Sequence, residues 1–129
     1  MANNVFWHRM SILRLVRDGF HEGQGVAPDH DALMWLCDRY CEHFGDDLPA
    51  PYIYPTLEPV GGVMLEWSFG PIDVSLEIDL KDKVGQWDVT GTKTSFVTDE
   101  EALFILTDAE PWQEIAAKIR KFFEEAFNG

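Results

Sequence analysis

The sequence predicts an α+β fold: N-terminal helices, an antiparallel β-meander of three to four strands, and a long C-terminal amphipathic helix packed on the sheet. Three observations predict it. Apolar residues recur every three or four positions near both ends of the chain. In the middle they alternate with polar residues in a period of two, and turn residues punctuate the segments. Because 129 residues suffice for one hydrophobic core, we expect a single α+β domain over 1–129.

Two helices are predicted before the first strand. The first covers 5–18, ends at Gly19, and has apolar residues at helical spacing: Phe6, Met10, Leu13 and Val16. After a glycine-rich loop, Pro28 and Asp29 open the second helix, and Gly45 ends it. The buried stripe predicted for this helix is Leu33, Leu36, Cys37, Tyr40, Cys41 and Phe44.

The segment 46–62 contains four prolines, which exclude a helix and favour extended backbone. Residues 52–54 are therefore predicted to attach to the sheet as an edge strand. A hairpin follows, in which Gly70 and Pro71 suit a two-residue type II′ turn. Its predicted register pairs Phe69 with Ile72, Trp67 with Val74, Leu65 with Leu76, and Val63 with Ile78. All of these pairs are apolar, so the carboxylates between them are predicted to face water.

The elements after the hairpin are less regular in pattern. Residues 86–90 are predicted as a third strand and residues 92–97 as a fourth. Thr98 and Glu101 match a capping box, which predicts a short helix up to Leu106, although the run ALFIL within it equally suits a strand. Asp108 is predicted to cap the last helix, with Pro111 in its first turn. The apolar stripe of this helix comprises Trp112, Ile115, Ala116, Ile119, Phe122, Phe123 and Ala126.

The chain is strongly acidic, with a net charge of −13 and a pI near 4.4. Such a charge repels phosphates, so direct nucleic-acid binding is disfavoured and a partner with a basic surface is favoured. The sequence shows no membrane span and no secretory signal, and two helical cysteines indicate a reducing compartment. These features predict a cytoplasmic protein. The arginines of the first segment are interpreted as neutralising the protein's own acidic surface.

No pattern in the sequence predicts catalysis, a cofactor or a metal. The densest group of ligand-type residues is Cys37, Cys41 and His43, but helical periodicity already places both cysteines in the core. Glu66 and Glu77 are predicted to be diagonal neighbours across the hairpin, where an open sheet face keeps both ionised. P-loop, GxGxxG and GxSxG motifs are missing from the sequence. The protein is therefore expected not to be an enzyme.

Several segments resemble a family of small, largely uncharacterised bacterial and phage-associated proteins. They are the loop DGFHEGQGVAP, the segment PAPYIYPT, the stretch GGVMLEW and the run SLEID, in that order over about residues 10–80. The family is marked by a GWDGYGA-like loop, a P-x-x-x-PT segment and a GG-x-x-LEW hairpin. Phe20 stands where the loop usually has tryptophan. The resemblance implies a prokaryotic or viral cytoplasmic protein and carries no site residue with it.

These observations favour a non-enzymatic protein-binding factor, such as an inhibitor, an antitoxin-like protein or an anti-defence protein. Its predicted interaction surface comprises Asp18, Glu22, Asp46, Asp47, Glu66, Asp73, Glu77 and Asp79. The expected partner is another protein with a basic surface, and self-association into a homodimer stays open. Two alternatives are a dimeric secretion-type chaperone and a small enzyme that uses acidic residues.

Overall fold

A computed structural model describes residues 2–91 and 99–128 and places three helices and five strands in them. In chain order they are α1 (Ala2–Leu13), α2 (His30–His43), β1 (Tyr52–Pro55), β2 (Val63–Phe69), β3 (Ile72–Asp79), β4 (Val84–Gly91), β5 (Glu100–Ile105) and α3 (Ala109–Asn128). The α+β architecture is thus confirmed. The strand predicted over 92–97 lies outside the described residues.

The five strands form one antiparallel meander in the order β1-β2-β3-β4-β5, so the prediction of three to four strands was too low. The additional strand is β5, whose sequence suited a short helix and a strand equally. Its residues pair with β4, with Glu101 opposite Asp88 and Phe104 opposite Gly85. Pairing with β4 and burial of Phe104 favour the strand over the helix.

The hairpin of β2 and β3 has the register that its alternation predicts. Val63 lies opposite Ile78 and Phe69 opposite Ile72, and the two intervening apolar pairs fall between them. Gly70 has a φ of 64°, as the first position of a type II′ turn requires. The predicted edge strand is also present, as β1. One face of the hairpin is therefore apolar along its whole length.

The helices cover that apolar face and form the core with it. The predicted stripe of α2 is buried at Leu33, Leu36, Cys37 and Tyr40, and α3 buries Trp112, Ile115, Ile119 and Phe122. Phe6, Tyr40 and Phe44 form a stack that joins α1 to α2, with adjacent ring centroids 3.7 and 4.3 Å apart. Burial of these large side chains is the main source of stability for this arrangement.

The first helix ends earlier than predicted. It stops at Leu13, and the chain continues in a tighter turn in which Leu15 N–H and Val16 N–H donate to carbonyls three residues before them. Of the three arginines predicted on this helix, only Arg9 lies within it. Arg9 donates to the carbonyls of Ala50 and Pro51 at 3.0 and 2.5 Å, which fastens the helix to the segment before β1.

Three buried tryptophans donate their indole N–H to acceptors that join different elements. Trp67 donates to Pro49 O at 3.1 Å, and Trp112 donates to Leu106 O at 2.8 Å. Trp87 donates to Glu100 Oε1 at 3.0 Å, and the same carboxylate accepts from Lys118 Nζ at 2.6 Å. Glu100 thereby connects β4, β5 and α3.

Candidate interaction surface

The face of the sheet opposite the helices, here called the open face, carries a group of acidic side chains. Its acidic residues occupy the positions that alternate with buried residues along the strands. They are Glu66, Asp73, Glu77, Asp79, Asp88 and Glu101. No lysine or arginine occupies an open-face position in the five strands.

The strand register arranges these carboxylates in a cross. One arm runs along β3 through Asp73, Glu77 and Asp79. Glu77 lies about 7 Å from Asp79 along the strand and about 14 Å from Asp73, because Ser75 lies between them. The other arm runs across the sheet, because Glu66 lies opposite Ser75 and Asp88 lies opposite both Ser75 and Glu101. Neighbouring strands are about 4.8 Å apart. Like charges at these separations repel one another, and a cationic partner would relieve that repulsion.

Two side chains on the open face have altered proton affinities. Partial burial, together with the nearby Asp88 carboxylate, raises the pKa of Glu77. Partial burial also raises the pKa of Tyr54 to about 12, helped by the hydrogen bond that its hydroxyl donates to Glu66. The tyrosine is consequently neutral at physiological pH and acts as a hydrogen-bond donor to the carboxylate.

Exposed apolar and aromatic side chains flank the acids at both edges of the open face. On β1, Tyr52 is 67% exposed and Tyr54 is 41% exposed. On β5, Leu103 is 65% exposed and Ile105 is 51% exposed. A surface that combines aromatic and aliphatic contacts with oriented charge is typical of a protein interface.

Two depressions lie on the open face among the residues that the structure describes. One, of about 250 Å³, is lined by carboxylates and hydroxyls that include Glu66, Ser68, Asp73 and Asp88. The other, of about 360 Å³, is lined by Glu77 and Asp79 with Leu103 at its margin. Glu66 and Glu77 are diagonal neighbours, as predicted, and both are partly exposed at the surface. The openings are of a size that admits a lysine or arginine side chain.

The structure brings together four of the eight residues predicted as an interaction surface: Glu66, Asp73, Glu77 and Asp79. The other four lie on different elements. Asp18 and Glu22 belong to the glycine-rich loop, where Asp18 accepts a hydrogen bond from Ala27 N–H at 2.8 Å. Asp46 and Asp47 follow α2, and Asp47 pairs with Arg120 of α3 in the helix layer.

Sequence reasoning missed two acids of the open face, Asp88 and Glu101. Asp88 lies between the buried Trp87 and Val89, so the alternation that identified the hairpin acids applies to it as well. Glu101 could not be found in this way, because its segment suited a helix and a strand equally and had no predicted register. The four exposed residues Tyr52, Tyr54, Leu103 and Ile105 become recognisable only when the edge strands are paired.

Cys37 is buried on α2 as predicted, whereas Cys41, which was also predicted in the core, is partly buried beside it. Burial, reinforced by its neighbour Cys41, raises the pKa of Cys37 to about 12, so this thiol stays protonated and weakly nucleophilic. Burial also raises the pKa of Cys41. Within the described residues no group of three histidine, cysteine, aspartate or glutamate side chains is arranged to hold a metal ion.

No protein-family model matches the chain, no curated protein matches its sequence, and no solved structure matches its fold. The family resemblance of the sequence therefore stays a prediction. None of the helices in 2–91 and 99–128 has both the length and the apolar composition needed to cross a bilayer.

Proposed function

We propose that the protein is a non-enzymatic protein-binding factor that docks its open face onto a basic surface of a partner protein. The observation that carries the proposal is the cross of six carboxylates, without a strand lysine or arginine among them, between two exposed apolar edges. Fixed charge of one sign steers association with a surface of the other sign. The apolar edges would add area that is removed from water on binding.

Backbone rigidity favours the same use of this face. The acids extend from the four strands β2 to β5, which are held in a continuous ladder, so their spacing is set before any partner arrives. A preorganised surface loses little conformational entropy on binding. By contrast, an acid on a flexible loop would have to be ordered by its partner.

The sequence also suggests a biological setting for such a factor. An acidic factor that covers a basic surface would act as an inhibitor, an antitoxin-like protein or an anti-defence protein of bacterial or phage origin. We infer a cytoplasmic site of action from the reduced cysteines and from the resemblance described above. Dimeric chaperone activity and acid-based catalysis are the competing functions.

The proposal is tested with two variants of equal net charge. The face variant neutralises four open-face acids, as Glu66→Gln, Asp73→Asn, Glu77→Gln and Asp88→Asn. The control variant neutralises four exposed acids of the helices, as Asp38→Asn, Glu110→Gln, Glu114→Gln and Glu124→Gln. Both are compared with the unmodified protein for capture of partners from bacterial lysate, and each captured protein is then purified and its affinity measured by calorimetry.

We expect a partner with a basic surface to bind the unmodified protein and the control variant, and to lose at least tenfold in affinity for the face variant. Its affinity for the unmodified protein should also fall as salt concentration rises, because surface charges are screened. Equal affinity of the two variants, or an affinity that is insensitive to salt, would contradict the proposal.

A further inference from the structure

Another cavity lies away from the acidic cross, where the turn between β3 and β4 meets the start of α2. Its volume is about 460 Å³, within the range of about 300–1,000 Å³ that is usual for small-molecule sites. Its walls are contributed mainly by Val26, Trp35, Val60, Leu80, Lys81 and Lys83. The cavity therefore combines an apolar interior with two cations, Lys81 and Lys83, and two carboxylates, Asp29 and Asp31.

The apolar lining includes exposed side chains whose removal from water by a ligand would be favourable. Leu80 is buried and Trp35 is partly buried, and Trp35 makes an edge contact with Trp112 of the core, with ring centroids 6.3 Å apart. At the mouth, Val26 is 46% exposed and Val60 is 58% exposed. A flat apolar ligand would remove these two side chains from water while resting against a rigid aromatic wall.

The two lysines have no carboxylate within ion-pair distance in the part of the chain that the structure describes. Lys83 places its Nζ 5.2 Å from the centroid of the Trp35 ring. An anionic group at the mouth of the cavity would therefore meet cations that no protein carboxylate already engages.

The turn that carries the lysines is firmly held. Lys83 N–H donates to Asp79 O at 2.7 Å, and the Asp79 carboxylate accepts from Lys81 N–H at 3.0 Å. Lys83 itself has a φ of 57°, which is uncommon for a residue with a side chain. The backbone thus fixes where both lysine side chains begin.

The opposite wall comes from the glycine-rich loop that the sequence singled out. Gly19 N–H donates to Gly25 O at 2.8 Å, and a Cβ at Gly25 would lie 2.6 Å from the Phe20 ring. These contacts close the loop and present Val26 and Ala27 to the cavity. Gly61, from the stretch GGVMLEW, lines the same cavity. Two of the most distinctive segments of the sequence therefore meet at one site.

We propose that this cavity binds a small molecule with a flat apolar body and a single anionic group, of the aryl carboxylate class. The body occupies the space between Trp35, Val60 and Leu80, and the anion faces Lys81 and Lys83. On the α2 side, Asp29 Oδ2 already accepts from Ala32 N–H at 3.0 Å as the helix cap, and Asp31 is exposed. These two carboxylates repel the anionic group of the ligand. The ligand therefore binds with that group on the side of Lys81 and Lys83.

Three probes of matched shape test the proposal: 1-naphthylacetate, the neutral 1-naphthylacetamide and the cationic 1-naphthylmethylammonium. Binding is followed by calorimetry and by the NMR signals of the indole N–H groups, with Trp35→Phe identifying the signal of Trp35. We expect the carboxylate to bind, to shift the Trp35 signal, and to bind roughly two- to fivefold more tightly than the amide. No binding of the carboxylate, equal binding of the amide, or preference for the cation would overturn the proposal.

The lysines are tested by Lys81→Met and Lys83→Met, with Lys121→Met as the control that removes an equal charge from an exposed position on α3. The NMR spectrum of each variant establishes that it is folded. We expect both cavity variants to lose the preference for carboxylate over amide and the control to keep it. If both folded cavity variants keep that preference, the lysines do not select the ligand and the proposal is wrong.

Discussion

Gly62 is enclosed by backbone and side chains on three sides. A Cβ at this position would lie 2.5 Å from Ile78 O, 2.8 Å from Pro59 Cγ and 2.9 Å from Thr56 Oγ1. The carbonyl of Ile78 belongs to a central strand and cannot move away cheaply. We expect Gly62→Ala to lower the free energy of unfolding by about 1–3 kcal/mol, as overpacking does. Chemical denaturation measures this change.

The neighbouring Gly61 provides the control. It has a φ of 72°, and a Cβ there would meet nothing within 4 Å. Asparagine tolerates this backbone conformation better than most residues. Gly61→Asn should therefore be destabilising by less than Gly62→Ala. A larger loss in Gly61→Asn would show that backbone conformation, rather than enclosure, limits substitution in this pair.

Glu77 makes the stability of the protein depend on pH. Because its pKa is raised by burial and by Asp88, the folded protein holds this proton at pH values where the unfolded carboxyl, with an ordinary pKa of 4.5, has lost it. The contribution of Glu77 to the free energy of unfolding therefore falls as pH rises from about 4.5 through the folded pKa. We expect Glu77→Gln to raise the melting temperature at pH 7 and to leave it unchanged near pH 3.

Glu101→Gln is the comparison for that experiment, because it removes the same charge from an exposed position on the same face. Its effect on the melting temperature at pH 7 should be smaller than that of Glu77→Gln. Equal effects of the two substitutions would indicate general charge reduction instead of the partial burial of Glu77.

At the scale of secondary-structure elements, the β2–β3 hairpin could be predicted almost completely. Its apolar residues alternate without interruption, and a one-residue slip would expose them all, so local pattern and long-range packing agree. For β5 the local pattern is ambiguous, because the capping box before it favours a helix while its apolar run suits a strand equally well. Pairing with β4 decides for the strand. That pairing is not visible in the local sequence.

The acidic residues of the candidate site could be predicted only where the strands that carry them could be predicted. The open-face position of the hairpin acids follows from the alternation of apolar and polar residues. The open-face position of Glu101 depends on the pairing of β5 with β4, which was not predicted. Asp18 and Asp47 were grouped with them because they belong to one acidic stretch of sequence, but charge along the chain does not determine proximity in space. The cavity beside Trp35 is formed by three separated stretches of sequence, 26–35, 60–61 and 80–83, and no sequence pattern unites them.

Glu100 fastens α3 to the sheet through its contacts with Trp87 and Lys118. We expect Glu100→Ala to lower the free energy of unfolding by about 1–3 kcal/mol, because the buried indole N–H loses its acceptor and the ammonium loses its counterion. Lys118→Met should cost less, since the indole keeps its acceptor. Denaturation of the two variants tests this order, and a greater loss in Lys118→Met would contradict it.

For the whole molecule, the net charge of −13 should make stability depend on salt. The Debye length falls from about 30 Å at 0.01 M salt to about 3 Å at 1 M, so repulsion within the acidic surface is screened. We expect the melting temperature to rise with sodium chloride over this range. The rise should be smaller in the variant with four open-face amides than in the control with four helix amides. An equal rise in both would show that the repulsion is spread over the entire surface.

The indole hydrogen bonds of Trp67, Trp87 and Trp112 have a consequence for how partial opening of the protein can be followed. Each indole proton exchanges with deuterium only when its own acceptor withdraws, and the three acceptors belong to Pro49, Glu100 and Leu106. Separate exchange rates would report separately on detachment of the segment before β1, on opening between β4 and β5, and on release of α3 from the connection that follows β5. If the three protons exchange at one common rate, those parts of the molecule come apart together.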